Sequence, residues 1–575
     1  MKKSILALGA AAVIGGLGFA GSAQAVAVFG SVVANGDNHG VTGTAAGVVA
    51  AGKYAPATAL ALNPAGIGHI LFVPYYTAQQ GMGTLLTITN TDELNGKAVK
   101  VRFRGAANSD DVYDFTVMLS PGDVWTATIT NQGGPAYLTV PSDETTCTLP
   151  ANVNGPFNTL RLDQTLSTAA LNMHTAEGYI EILNMADIPP KLWMGTGAAP
   201  LYTNVANPLF GTIKHKAKGS PVCDSSILQS TSGALSSTTE GAVKDAFDAG
   251  LGAPTGQLMA SFAVINVADL ANYGGAATAI RAESTAATAH AAGVNGYGNI
   301  VFSPQVNDVY GNLPRVPSLT GDPLLRRPII TTLWFDLPDM STPYVPGATE
   351  TAAFTPAAPL AQTLLLGESN AMGRTNVINE YVNAPLDGWA TDWVVAQPTR
   401  RYYAAVDYKT SPISILYNTD MTGVVGTDTT YSPPPSAQNV YTILRTGKVT
   451  ANDNTAMGTY ACMSVYWGGY DREENGTSGG TSVSPGATVP ACGEVYTLSF
   501  VNNGGTPGAS KVLGAQISNL VPVGGTPGPA GWARVELGAS GGITLPSVGY
   551  AATSMKTHIG TVTGNWGYLI PHRWN

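Results

Sequence analysis

The stretch KAVKVRFRG (97–105) sets apolar Val99, Val101 and Phe103 at alternate positions, with Lys100, Arg102 and Arg104 between them. Side chains point to opposite faces of a strand with a period of two, so the segment predicts a half-buried β-strand whose cations lie outside. TLLTITN (84–90) places Leu86 and Ile88 on one face, and after the turn AANSDD the residues Tyr113, Phe115, Val117 and Leu119 alternate again. SPGD (120–123) then turns the chain into VWTATIT. These are hairpin-linked antiparallel strands of the kind that build a sandwich or immunoglobulin-like domain.

The same pattern continues along the chain. EGYIEILNM (177–185), QLMASFAVINV (257–267), IITTLWFDL (329–337), TDWVVAQPTRRYYAAVDY (391–408), GEVYTLSFVNN (493–503) and GWARVELG (531–538) read as strands. Residues 200–250 form a Ser/Thr/Gly-rich insertion, in which TEGAVKDAFDAG (239–250) carries Val243, Ala246 and Phe247 at helical spacing behind a threonine cap. A second short helix is expected in the alanine-rich GGAATAIRAESTAATAHAAG (274–293). The Pro-rich passage 303–328 breaks regular structure and marks a domain boundary. The expected organisation is a signal peptide at 1–25, an N-terminal β-sandwich region at 26–325 and a C-terminal β-rich region at 326–575. The fold class is mainly β: two or more antiparallel sandwich domains, long loops, and one or two short helices.

The first residues set the compartment. Two lysines, an apolar run broken by glycines, and Ala23-Gln24-Ala25 match a secretory signal, with cleavage expected after Ala25. No later stretch is apolar for the roughly 18 residues that a membrane helix needs. Loss of Lys2 and Lys3 would take the formal charge from −9 to −11, which disfavours nucleic acid and anionic membranes as partners. The 68 glycines and 38 prolines suit short strands and turns. Only 11% of residues are charged, and a surface that neighbours will cover can do without charges. In an exported chain the four cysteines are expected as disulfides, Cys147 with Cys223 and Cys462 with Cys492, which keeps each pair within one half.

Catalytic signals lack their context. GASGG (538–542) and GTSGG (476–480) fit G-x-S-x-G, but neither stands at a strand-to-helix turn. The seven histidines are dispersed, and no C-x-x-C spacing occurs. The Asx-rich turns NGDNHG, NSDD, NDN and DREEN lack the EF-hand pattern; Ca²⁺ is the cofactor they offer, with Asp110 and Asp111 as the candidate ligands. Lys100, Arg102 and Arg104 are read as a solvated face, and as candidates for contact with the opposite sign on a neighbouring subunit. FVPYYTAQQ, YWGGYDRE and NWGYLIPHRWN cluster Tyr and Trp that could stack on sugars.

The passage 68–125 from GHILFVPYYTAQQ to SPGDVW, with EGYIEILNM, INVADLANYGGAATAI and TDWVVAQPTRRYY, resembles the surface-layer and cell-surface proteins of Gram-negative bacteria, especially betaproteobacteria. That resemblance implies a non-enzymatic, exported subunit that self-assembles on the outer surface. Its expected partners are further copies of itself and lipopolysaccharide or another outer-surface component, with no nucleic acid. A secreted adhesin or carbohydrate-binding protein is the alternative, and a secreted hydrolase a weaker one.

Overall fold

The computed structural model describes most of residues 59–284, 371–398 and 450–574, with short strands at 42–49, 296–297, 404–407 and 414–418. The boundary expected near 325, the helix expected at 239–250 and the strand expected at 329–337 lie outside the described residues.

The fold is mainly β, built from four large sheets arranged as open sandwiches. Sheet one runs Cys147–Leu149, Asp111–Leu119, Gly96–Gly105, Glu177–Ile188, Ile70–Thr77, Thr278–Ser284 and Gly296–Tyr297, with Ala59–Leu62 also on Thr278–Ser284. Sheet two runs Gly155–Pro156, Ala136–Thr139, Val124–Asn131, Met82–Asn90, Leu258–Asn266 and Ala271–Ala276. In the C-terminal half, sheet three runs Thr450–Asn454, Gly458–Asp471, Ala530–Glu536, Asn376–Val382 and Arg573–Trp574, with Ala487–Cys492 also on Gly458–Asp471. Sheet four runs Ser518–Val523, Val495–Asn502, Trp389–Ala396, Val548–Ile559 and Val562–Pro571. Pairing within the sheets is antiparallel, except that Val495–Asn502 and Ser518–Val523 run parallel.

The alternation read from the sequence places the inner face correctly. Val99, Val101 and Phe103 of sheet one bury against a layer that includes Leu86, Ile88 and Trp125 of sheet two. One apolar core continues from there into the C-terminal half through Trp393, Phe500 and Val535. Burying large aromatic and branched side chains on facing sheets removes the most apolar area from water, roughly 1.5–3 kcal/mol per side chain, and this favours the layered arrangement.

The outer face of sheet one is a second buried layer. Ala98, Met118, Leu149, Met185 and Ile188 pack there against Leu209 and Ile213 of helix Pro208–Ile213 and Leu228 of helix Ser225–Ser236. Asn207 caps the first of these helices by accepting from the Leu209 N–H. The disulfide Cys147–Cys223 ties this helical insertion to the edge of sheet one, while Cys462–Cys492 joins neighbouring strands of sheet three.

The alanine-rich segment corrects one expectation. Thr278–Ser284 is a strand, because both Ile70–Thr77 and Ala59–Leu62 offer it backbone partners and Ala279 and Ile280 bury in the core. Tertiary pairing overrides the helical preference of alanine here. A helix at Thr168–Thr175, capped by Ser167, leads into Glu177–Ile188.

Candidate functional site: a buried charge ladder and the junction of the halves

Lys100, Arg102 and Arg104 are each 0% exposed, so the solvated face expected of them does not exist. The strand Gly96–Gly105 lies between Asp111–Leu119 and Glu177–Ile188, and both neighbours supply acids at matching heights. Lys97 Nζ lies 2.8 Å from Asp92 Oδ2 and 2.7 Å from Asp187 Oδ1. Lys100 pairs with Asp114, Arg102 Nε lies 3.2 Å from Asp111 Oδ2, and Arg104 Nε lies 3.4 Å from Glu181 Oε2. Four cations on one strand thus meet their counter-charges inside the molecule. Placement here rules out a direct intermolecular contact through these three side chains.

The turn after the strand completes the ladder. Arg104 donates to the Ser109 carbonyl at 3.3 Å, and Ser109 adopts a left-handed φ of 61°. The Tyr179 hydroxyl lies 2.6 Å from Ser109 Oγ and within reach of Glu181 Oε1 and the Pro398 carbonyl oxygen, at 3.3 and 3.2 Å. The candidate calcium ligands sit in this turn. Asp110 and Asp111 are buried, and the Asp111 carboxylate faces the Arg102 guanidinium, whose charge opposes a second cation at that carboxylate.

Burial and pairing compete in the ionisation of the ladder. Burial alone would raise the Asp92 carboxyl, yet the Lys97 ammonium and the N–H groups of Asn95 and Leu94 outweigh it and hold Asp92 below the usual carboxylate range. Burial likewise disfavours the Lys97 charge, and Asp187 and Asp92 together hold that ammonium above the usual lysine range.

Two further buried carboxylates hold the segment where the halves meet. Glu177 Oε1 accepts from the N–H groups of Gln516 and Ile517 at 3.1 and 2.8 Å, and its Oε2 accepts from the Tyr75 hydroxyl at 2.8 Å. Asp392 Oδ2 accepts from the N–H groups of Val512 and Leu513 at 2.7 and 2.9 Å, and its Oδ1 accepts from the Ser499 hydroxyl at 2.6 Å. The segment 512–517 is therefore pinned at one end by an acid of its own half and at the other by an acid of the N-terminal half. Burial raises both carboxyls above the usual range, against the pull of these donors. The N–H groups of Glu494 and Val495 also donate to the Ala106 carbonyl, at 2.8 and 3.1 Å. That approach requires Gly493, with φ of 86°, because a Cβ there would stand 2.7 Å from the Ala106 oxygen.

At the far end of the chain, His572 stands where the polypeptide leaves Val562–Pro571 of sheet four and enters Arg573–Trp574 of sheet three. Its Nε2 donates to the Val394 carbonyl at 2.8 Å, and its Nδ1 accepts from Asn379 Nδ2 at 2.9 Å. Burial pulls this imidazole down to about 3, with the Val394 carbonyl opposing, so the ring is neutral at pH 7.

The sequence offered no close grouping around His215, and the structure makes one. Its Nδ1 lies 3.2 Å from Ser120 Oγ and 3.6 Å from Asp123 Oδ2, and its Nε2 lies 3.1 Å from Thr145 Oγ1. The neighbouring donors serve the turn itself: the N–H and hydroxyl of Thr146 both donate to Glu144 Oε1. The crevice at the junction, lined by Ala106, Ala107, Met173, His174, Glu177, Tyr460 and Ile517, has its carboxylate committed to three donors. Among the described residues no group of three or more His, Cys, Asp or Glu converges as a metal site. What these arrangements do chemically is fix strand order and lock two sandwiches together.

No helix among the described residues is long and apolar enough to cross a membrane. Comparisons with protein-family models, with curated proteins and with solved structures find no match to this chain.

Proposed function

We propose that the protein is an exported structural subunit that assembles with its own copies into a coat on the cell surface, outside the outer membrane. The observation that carries this reading is where the charges go. In a chain with only 28 Lys and Arg and 37 Asp and Glu, four cations and many acids, among them Asp92, Asp111, Glu177, Glu181, Asp187 and Asp392, are withdrawn into the interior. Among the described residues, these charges are lost to the surface that faces solvent. Such a surface is poorly suited to a dispersed monomer and well suited to being covered by neighbours. Two disulfides suit an oxidising compartment, and stable sheets tied across two halves suit a load-bearing role rather than a moving one. Anchoring would fall to lipopolysaccharide or another outer-surface component, and any Ca²⁺ would act at turns or between copies.

The test is electron microscopy and light scattering of the purified mature protein across a series of salt, Ca²⁺ and lipopolysaccharide. Planar arrays or regular oligomers are expected. A monodisperse monomer under every condition would sink the reading.

One observation favours the carbohydrate-binding alternative. Tyr470 and Trp532 stand opposite each other on sheet three, stacked at 4.9 Å and 40% and 42% exposed. Quenching of tryptophan fluorescence by oligosaccharides, lost on Trp532→Ala, would support it.

A further inference from the structure

Sheets end in edge strands, whose unpaired N–H and C=O groups invite another strand. Proteins blunt such edges by making them short, by charging them, or by placing proline in them. Most edges here follow that rule. Gly296–Tyr297, Gly155–Pro156, Cys147–Leu149 and Arg573–Trp574 are two or three residues long, and Ser518–Val523 contains Pro522.

Val562–Pro571 departs from the rule over all but its last residue, Pro571. It is ten residues long, carries no charged side chain, and among the described residues pairs only with Val548–Ile559. Trp566 and Tyr568, on one face of it, are 54% and 45% exposed. Its other face is occupied, since Gly567 lies so close to the Tyr273 ring that a Cβ would come within 2.3 Å of it. The face is therefore held by the molecule, and no second described strand pairs with the edge.

The phase of the ladder shows which groups the edge presents. His572 donates its N–H to the Gly549 carbonyl, in register with Tyr550 opposite Pro571. Alternation then turns the main-chain groups of Ile570, Tyr568 and Trp566 toward Val548–Ile559, and those of Thr563, Asn565, Gly567 and Leu569 outward. Pro571 falls in the outward set, where its missing N–H costs no bond within the sheet.

We propose that this edge pairs antiparallel with the same edge of a second copy, about a two-fold axis at Gly567. Outward groups must meet outward groups, and only a centre at Gly567 keeps the whole of Thr563–Pro571 in register. That centre sets Trp566 of each copy across from Tyr568 of the other, giving two aromatic cross-strand pairs, a favourable combination. Because the strand has no charge, self-pairing meets no like-charge repulsion, which would defeat a two-fold contact in a charged strand. The inference rests on the coat reading and names one of its contacts.

The test uses the full mature chain, whose four cysteines are all in disulfides. Trp566→Lys with Tyr568→Lys sets lysines opposite lysines on exposed positions. By analytical ultracentrifugation the two-fold contact should weaken at least tenfold, with the circular dichroism of the monomer unchanged. As a second readout, chains bearing Trp566→Cys and chains bearing Tyr568→Cys are mixed and oxidised. The 566–568 cross-link between copies should form in preference to 566–566 and 568–568, because these positions face each other as a close, non-hydrogen-bonded pair. Wild-type assembly that ignores the lysines and shows no such preference would overturn the edge contact and leave the coat reading standing. A wild-type chain that never assembles would overturn both.

Discussion

Lys97 is the most demanding member of the ladder, since one fully buried ammonium serves two carboxylates at 2.8 and 2.7 Å. Lys97→Met keeps the length of the side chain and removes its charge, leaving Asp92 and Asp187 buried without their shared cation. Breaking a buried pair by removing one partner costs about 3–5 kcal/mol, whereas an exposed pair would cost about 0–1 kcal/mol. With a urea slope of about 3 kcal/mol per M, the unfolding midpoint should fall by roughly 1–2 M. The pH dependence separates this cause from lost packing. In the wild type, the lowered Asp92 carboxyl contributes stability that is complete above its unfolded value and is lost as pH falls through its folded value. In the variant the stranded carboxyls are raised instead, so part of the loss should be recovered on going from pH 7 to pH 5. Urea unfolding followed by tryptophan fluorescence at both pH values measures this. A loss under about 1 kcal/mol, equal at the two pH values, would refute the reasoning.

Glu177→Ala strands three donors at the junction and should cost about 3 kcal/mol, splitting one calorimetric transition into two; Glu177→Gln, which keeps an acceptor oxygen, should be milder. A single unshifted transition in the alanine variant would contradict the bolt-like role of segment 512–517. His572 titrates near 6.5 when unfolded and about 3 when folded, so stability should be full above pH 6.5 and fall on acidification by up to about 5 kcal/mol near pH 3. His572→Gln, which can donate to Val394 and accept from Asn379, should flatten the slope of melting temperature between pH 6.5 and 4. Joint replacement of Cys147 and Cys223 by Ser opens a loop of 76 residues and should cost about 4.5 kcal/mol on the loop-entropy model, with early proteolysis in the helical insertion. Protease resistance equal to wild type would count against that tether.

The strands of this protein are legible because each has a period, and a period survives without knowledge of its neighbours. Val99, Val101 and Phe103 announce an inner face that the folded chain indeed buries. What alternation cannot say is what lies on the other side. Lys100, Arg102 and Arg104 have the pattern of a solvent face, and only the acids of two neighbouring strands, one of them some 80 residues away, convert it to an interior. A signal existed in the sequence: Glu181 and Asp187 interrupt the apolar residues of the strand EGYIEILNMADI. The junction was less legible, because Glu177 and Asp392 act on backbone N–H groups, and those carry no sequence signature. His215 shows the same limit, since Ser120, Asp123 and Thr145 reach it only after the insertion folds back under its disulfide.

The charge ladder also matters before the fold exists. An unfolded chain with VKVRF-like strands, apolar at every second position, is a candidate for cross-β pairing with its copies, and interspersed cations are the residues that prevent it. Lys97, Lys100, Arg102 and Arg104 keep that segment hydrated and mutually repelling until the strands bearing Asp111, Asp114, Glu181 and Asp187 arrive, whereupon the deterrent disappears into the interior. Val562–Pro571 carries no such gatekeeper at any stage. A chain that sets cations at alternate positions of Gly96–Gly105 and none in Val562–Pro571 guards the first strand while it is unpaired and leaves the second open to pairing in the finished fold.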